Sequence, residues 1–374
     1  MEFDPEDLTL DWRPRAPLTP RMPCRIVQRP PRGAAVRGAR SDASSTLVRI
    51  DLHCHSTYSV ELVPALPRLR FYPLLTPQQI YRLAKSRGMD YVTITDHDTI
   101  DGCKAFLDQH GDVPDFIVGE EVSTTFPSDG MVIHINVYDH TEAEHREIQR
   151  LAGNVLELVP YLRSINRLFV LNHPTWNKFD LPTTPRRIEE YLELFDVIEG
   201  INGARPYAHN AWVWSLAQGS EFRVQSSRRR GSPPVLVAGS DSHSDAVGTT
   251  CTITQGRDRR SVLANIRTGR VAIRGAMGSS ATMLVETRKL IEANLAYRLS
   301  LTDSRLRHAA WKLAATSGRL VARLMVQRYY RRQDALLSQL ERIIQTAPHD
   351  PTAQLALPEY HPERITGLAE LHAA

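Results

Sequence analysis

His53 and His55 stand one residue apart in the stretch Ile50-Asp51-Leu52-His53-Cys54-His55-Ser56. In an extended chain of period two their imidazoles leave the same face, an arrangement suited to a divalent metal ion. The pair has little specificity alone. It gains specificity from later stretches that each end or interrupt an apolar run with His, Asp or Glu: Thr95-Asp96-His97-Asp98, Gly119-Glu120-Glu121-Val122-Ser123, Val132-Ile133-His134-Ile135, Leu171-Asn172-His173-Pro174 and Gly239-Ser240-Asp241-Ser242-His243. Read together, these are the ligands of one site. The chemistry that such a set supports is hydrolysis. Cations bridged by a carboxylate lower the pKa of a bound water from about 15.7 to about 7 and neutralise the charge that gathers on phosphoryl oxygens.

Residues of this kind need rigid elements to bring them together, and the apolar punctuation supplies them. Strands are expected over 47–53 and 90–95, with helices over 78–88 and after Asp98. Further apolar runs cover 116–122, 131–138, 168–171, 195–201 and 235–238, and helical patterns over 142–158 and 186–194 separate several of them. Strand and helix therefore alternate as in a parallel α/β barrel, which gathers its active site at the C-terminal ends of its strands. Parity along the strands agrees. Asp241 and His243 share a face with Val235, Val237 and Gly239, and His134 shares one with Val132 and Asn136. Glu120 and Glu121 fall on opposite faces, so parity places one of them inside without selecting which.

Length and composition set the frame. With 374 residues and 42% hydrophobic composition, the chain has material for one large catalytic domain plus an appendage. The net charge of +4 says little about partners. Cys24, Cys54, Cys103 and Cys251 show no paired spacing, which argues against a disulfide framework and for a reducing cytoplasm. No run approaches the roughly 18 apolar residues of a spanning helix, and the acidic start lacks the order of a secretory signal. The expectation is a cytoplasmic protein, with peripheral membrane contact open.

Residues 12–43 are rich in Pro, Arg, Gly and Ala and fit a disordered tail. Beyond Gly278 the texture is helical, with Trp311, Leu313, Leu320 and Leu324 near helical spacing and many arginines around them. The expected divisions are a tail over 1–46, a catalytic domain over 47–278, a basic helical appendage over 279–346 and a second tail over 347–374. The basic helices suit packing on the barrel or on a protein partner, an anionic membrane surface, or nucleic acid.

The motifs Asp-Leu-His-Cys-His-Ser at 51–56, Thr-Asp-His-Asp at 95–98, Gly-Glu-Glu-Val-Ser at 119–123, His134, Asn-His-Pro at 172–174 and Gly-Ser-Asp-Ser-His at 239–243 resemble, in order and spacing, a PHP domain of the polymerase and histidinol phosphatase superfamily. The resemblance covers about residues 48–275. It implies a distorted seven-stranded (β/α)7 barrel holding two or three divalent ions, zinc, manganese or iron, and a phosphoesterase activity. Carried over by position, it makes His53, His55 and Asp241 ligands of a first metal and Glu121 the bridge to a second held by His134 and His173. His97 and His243 then belong to a third. It selects Glu121 over Glu120.

One position departs from that pattern. Where similar proteins supply another ligand of the third metal, this chain reads Ser59-Val60-Glu61. Val60 cannot bind a metal. Glu61, one position later, either substitutes as an oxygen ligand or begins a loop. Asp98 or a histidine such as His243 then serves as general acid where the third ion is absent.

At the expected barrel mouth, Asn202 and Arg205 follow the run ending at Ile201, and Arg suits bidentate phosphate contact. Arg205 as a structural ion-pair residue is the alternative. Glu199 and His209 are further mouth candidates, and Lys178 and Trp176 lie on another such loop. The leading reading is a phosphoesterase acting by metal-activated hydroxide on a small phosphorylated sugar, lipid or nucleotide. A nuclease and a metal-stabilised scaffold without turnover are the alternatives.

Overall fold

A computed structural model of the chain describes residues 24–27, 46–62, 70–176, 184–218, 233–275 and 277–300, with single positions 320, 323, 324, 327, 328 and 331. Its centre is a six-stranded mixed sheet. In chain order these strands are β5 (Val92–Ile94), β6 (Phe116–Thr125), β7 (Val132–Tyr138), β8 (Leu168–Leu171), β9 (Val197–Asn202) and β10 (Val235–Gly239), and they lie side by side in that order. The strands are nearly all buried, as expected of a sheet covered on both faces.

The sequence pattern predicts parallel strands throughout, and β7 departs from it. It runs antiparallel to both β6 and β8, while the other neighbouring pairs are parallel. The reason is local. Phe126 N–H donates to Met131 O at 2.8 Å and Gly130 N–H to Phe126 O at 2.9 Å, so β6 turns straight back into β7 without a helical crossover.

A second sheet of four antiparallel strands runs β1 (Cys24–Val27), β12 (Val271–Gly275), β11 (Thr250–Gln255), β2 (Leu47–Ile50). Strand β1 lies inside the stretch read from composition as a tail: its backbone pairs with β12, from Cys24 opposite Gly275 to Val27 opposite Ala272. The sequence reading also omitted β11 and β12. The segment expected as the first barrel strand is hydrogen-bonded along β11 as β2, and its continuation ties the larger sheet together. Asp90 N–H and Thr95 N–H, beside β5, donate to Arg49 O and Cys54 O at 2.8 Å each. Beyond β10, Asp241 N–H donates to His53 O at 2.7 Å, and His55 N–H donates to Ser242 O at 3.0 Å. Both edges of the curled sheet thus meet the stretch 49–55. A short hairpin, β3 (Glu61–Leu62) with β4 (Arg70–Phe71), completes the strands.

Eight helices are described: α1 (Pro77–Ser86), α2 (Asp101–His110), α3 (Glu142–Leu151), α4 (Val155–Ser164), α5 (Pro185–Leu194), α6 (Tyr207–Gln218), α7 (Arg259–Arg267) and α8 (Ser280–Ser300). The single helix expected over 142–158 is two, broken at Gly153-Asn154, where the Asn154 side chain accepts from Leu156 N–H to start α4. Capping boxes start α1, through Thr76 and Gln79, and α3, through Thr141 and Glu144. No described helix is long and apolar enough to cross a membrane.

The start of the expected basic appendage, α8, lies against the main domain. Lys289 Nζ is 2.6 Å from Asp245 Oδ1, and Asn294 exchanges two hydrogen bonds with the backbone of Tyr72. Leu320 and Leu324 are exposed, whereas Trp311 and Leu313 lie outside the described residues.

Candidate metal centre

Glu121, near the middle of β6, is fully buried, and its two oxygens face different histidines. Oε2 lies 3.1 Å from His53 Nε2 and 3.2 Å from both His55 Nε2 and His97 Nδ1. Oε1 lies 3.1 Å from His134 Nδ1 and 3.2 Å from His173 Nε2. Asp241 Oδ1 stands 3.5 Å from His53 Nε2 and 3.4 Å from His55 Nε2. Ligands held about 2.1 Å from an ion in tetrahedral or octahedral geometry are about 3.0–3.4 Å apart.

His134 and His173 are within hydrogen-bonding geometry of Glu121 Oε1, but hydrogen bonding does not account for the approaches at Oε2. His53 Nε2, His55 Nε2 and Glu121 Oε2 are buried and meet no hydrogen-bond partner among the described residues. Buried polar atoms rarely stay unmatched. Short separations without donor geometry are what lone pairs converging on a shared cation produce, so the donor set fits divalent ions. Around this centre four groups bring their ligand atoms within 4.8 Å of one another: His53, His55 and Glu121; His53, His173 and Asp241; His97, Glu121 and His134; His55, His97 and His243.

The local fold explains the convergence. His53 and His55 follow β2 on one face, and His97 follows β5. His173 comes after β8, and Asp241 and His243 come after β10. His134 is near the start of β7 rather than its end, and the reversed direction of that strand brings it to the same rim. Parity left Glu120 and Glu121 equivalent. The structure buries both, Glu121 among the histidines named above and Glu120 against His140 and His145. His173 and Asp241 have positive φ of 25° and 49°, a backbone conformation costly for residues other than glycine and often found at functional sites.

Electrostatics follow from the crowding. Burial raises the pKa of Glu121, but His53, His97 and His134 outweigh it and hold the carboxyl well below its usual range. Asp241 is held down in the same way, against burial, by His53 and Arg205. For His53 burial works downward, yet Glu121, Asp241 and Glu199 together lift it well above an ordinary imidazole. Burial, with Arg205 close by, brings His173 down to about 4.

A second layer of residues orients these side chains. Glu199 Oε1 is 2.9 Å from His53 Nδ1, and its Oε2 accepts the His173 N–H at 3.0 Å. Asn172 Nδ2 donates to Glu121 Oε1 at 2.8 Å. Asp51 accepts the backbone N–H groups of His53, Ser240 and Gly248, while burial lifts its pKa to about 6 against those bonds. Ser59 Oγ lies 3.4 Å from His55 Nδ1 and accepts His97 N–H at 3.1 Å. Sequence reading gave Asp51, Ser59 and Asn172 no role. For Asp51 the signal was present, since it shares strand parity with His53.

Not every expected residue joins the centre. Asp98 is exposed, and its Oδ1 accepts Ser123 N–H at 2.6 Å; it belongs to none of the four convergent groups. Asn202 is buried and donates to Glu199 Oε2 and Asp241 Oδ2. Arg205 does form an ion pair, 3.2 Å from Asp241 Oδ2, and lies 5.5 Å from the Trp176 ring. The Trp176 ring also packs 4.7 Å from His134 and 5.1 Å from His173. His209 is buried against Thr175 rather than open at a mouth. Val60 is exposed. Glu61 is described only in its backbone, within β3, and Lys178 lies outside the described residues. His243 stacks on His55 at 4.2 Å with its side chain 20% exposed. Beside it and Asp241 opens a cavity of about 140 Å³ that α8 helps to wall with Met283, Glu286 and Leu290.

No family model matches the chain, and no curated protein matches it. Among solved structures, PsfC from Pseudomonas syringae is 17% identical over 69% of this chain and 100% of that chain, with a TM-score of 0.43. An amidohydrolase from Chromobacterium violaceum, with bound sulfate and no metal, is 16% identical over 59% of this chain and 96% of that one, with a TM-score of 0.38. A protein from Bifidobacterium adolescentis, described provisionally as a metal-dependent phosphoesterase, is 14% identical over the same shares, 59% and 96%, with a TM-score of 0.38.

Proposed function

We propose that this chain is a metal-dependent phosphoesterase of PHP type, in which the stretch 49–55 serves as the seventh barrel strand between β5 and β10. Its substrate is a small phosphoester: a phosphorylated sugar, lipid or nucleotide. The observation that carries the reading is Glu121, one buried carboxylate whose oxygens face His53, His55 and His97 on one side and His134 and His173 on the other.

In this reading His53, His55 and Asp241 hold one divalent ion and His134 and His173 a second, with Glu121 between them. His97 and His243 would belong to a third. Ions of the zinc, manganese or iron class, when bound, supply water made acidic enough to ionise at neutral pH and positive charge to offset that of the phosphoryl group.

The chain's own residues do the rest. Arg205, beside Asp241 and over Trp176, supplies a guanidinium for a phosphoryl oxygen, and Asn202 holds Asp241 in place for it. Where the third ion is absent, His243, which borders the cavity beside Asp241, is the better-placed proton donor to the departing oxygen; the Asp98 carboxylate is taken up by the Ser123 amide. The α8 wall limits the space for the leaving group, which favours a small substrate over a duplex.

The test is phosphate or nucleoside release by the metal-replete full chain from sugar, lipid and nucleotide monoesters and diesters, with single-stranded and duplex DNA in the same panel. Turnover of the small esters that is lost in Asp241→Ala is the expected result. Turnover of DNA alone favours the nuclease reading. Metal binding with no turnover on any member, indistinguishable from Asp241→Ala, withdraws the catalytic reading in favour of a scaffold.

A further inference from the structure

On the other face of β6, directly behind Glu121, lies a second cluster with no part in the chemistry above. Glu120 is fully buried there, between the sheet and α3. Its Oε1 is 2.9 Å from His140 Nε2, and its Oε2 is 2.9 Å from His145 Nδ1, which projects from the first turns of α3. Ligand atoms from the three residues lie within 4.8 Å of one another. Gln149, one turn further along α3, donates to Glu120 Oε2 at 2.9 Å and orients the carboxylate.

His140 supplies the independent observation. It is 4% exposed, and neither ring nitrogen meets a hydrogen-bond partner among the described residues, nor does Glu120 Oε1. Nε2 and Oε1 therefore approach to 2.9 Å without donor geometry, the same signature as His53, His55 and Glu121 show in the main centre. An imidazole and a carboxylate oxygen both buried and unmatched are costly unless something occupies the point on which they converge.

We propose that Glu120, His140 and His145 bind a divalent transition-metal ion of the zinc class, separate from the main centre. Two imidazole nitrogens and one carboxylate oxygen are a donor set that zinc accepts, with a fourth position left for water. His145 is only partly buried, which gives the ion a route from solvent. The ion joins β6, the β7–α3 turn and α3, so it holds from behind the strand that presents Glu121.

The experiment counts zinc per full-length chain after chelator stripping, reloading and gel filtration. The starting protein is an Asp241→Asn, His134→Gln variant that weakens the main centre. His140→Gln and the less buried His145→Gln are then added separately, with circular dichroism verifying the fold of each. The expected result is one tightly held zinc in the starting variant and none after either addition, with the zinc-dependent rise in Tm lost as well. Equal zinc content with and without His140 and His145, or no zinc in a folded starting variant, overturns the site and leaves a protonated His145 paired with Glu120 in its place.

Discussion

Glu199 Oε1 lies 2.9 Å from Nδ1 of His53, while its other oxygen accepts the backbone N–H of His173. One buried carboxylate on β9 therefore orients two of the converging residues, which follow different strands. A ligating imidazole whose far nitrogen is bound to a carboxylate is fixed in ring orientation and made a stronger donor.

Glu199→Gln keeps the shape but removes the charge that fixes the His53 tautomer. The expected outcome is a loss of about 10–100-fold in metal affinity with the fold intact, read by competition against a chromophoric chelator. Unchanged affinity would show that His53 needs no such support.

Metal removal should be visible in stability. An ion present at about a hundredfold over its Kd adds about 2.7 kcal/mol to the native state, which for a domain of this size is a Tm difference of about 5–10 °C. Scanning the chain with and without chelator measures it. Coincident melts would mean that the ligand set is not loaded under those conditions.

Gly239 ends β10 where no side chain fits. A Cβ there would come within 2.4 Å of His53 Cβ and 2.7 Å of His53 N. Because the second contact is backbone, Gly239→Ala is expected to cost about 1–3 kcal/mol in unfolding free energy, and to weaken metal binding by displacing His53. Denaturant titration and metal content test the two effects separately, and a variant as stable as the parent would remove the steric claim.

Burial pushes the thiols of Cys103 and Cys251 up to about 12. At pH 8 the thiolate, which is the reactive form, is scarce at both positions. Iodoacetamide is expected to leave both unmodified in the native protein and to label both after denaturation, as read by peptide mass. Native labelling of either would contradict their burial.

The sequence by itself determined the α/β class and singled out most of the side chains that the fold brings together. His53, His55, His97, Glu121, His134, His173, Asp241 and His243 all interrupt or follow apolar runs, and that placement already marks them as candidates for one rim. What strand periodicity could not give was direction, face or partner, because these depend on contacts distant in the chain. Only the tertiary structure decided that β7 runs backwards, through the short turn at 126–131. Only packing sent Glu121 to the centre and Glu120 to His140 and His145, since alternation gives both the same local signal. The pairing of β1 with β12 likewise rests on a partner some 250 residues away (24 against 275), and composition alone carries no trace of it. Glu199 was a candidate for the barrel mouth and Asp51 was given no role, and both found their place once the folded chain set them against His53.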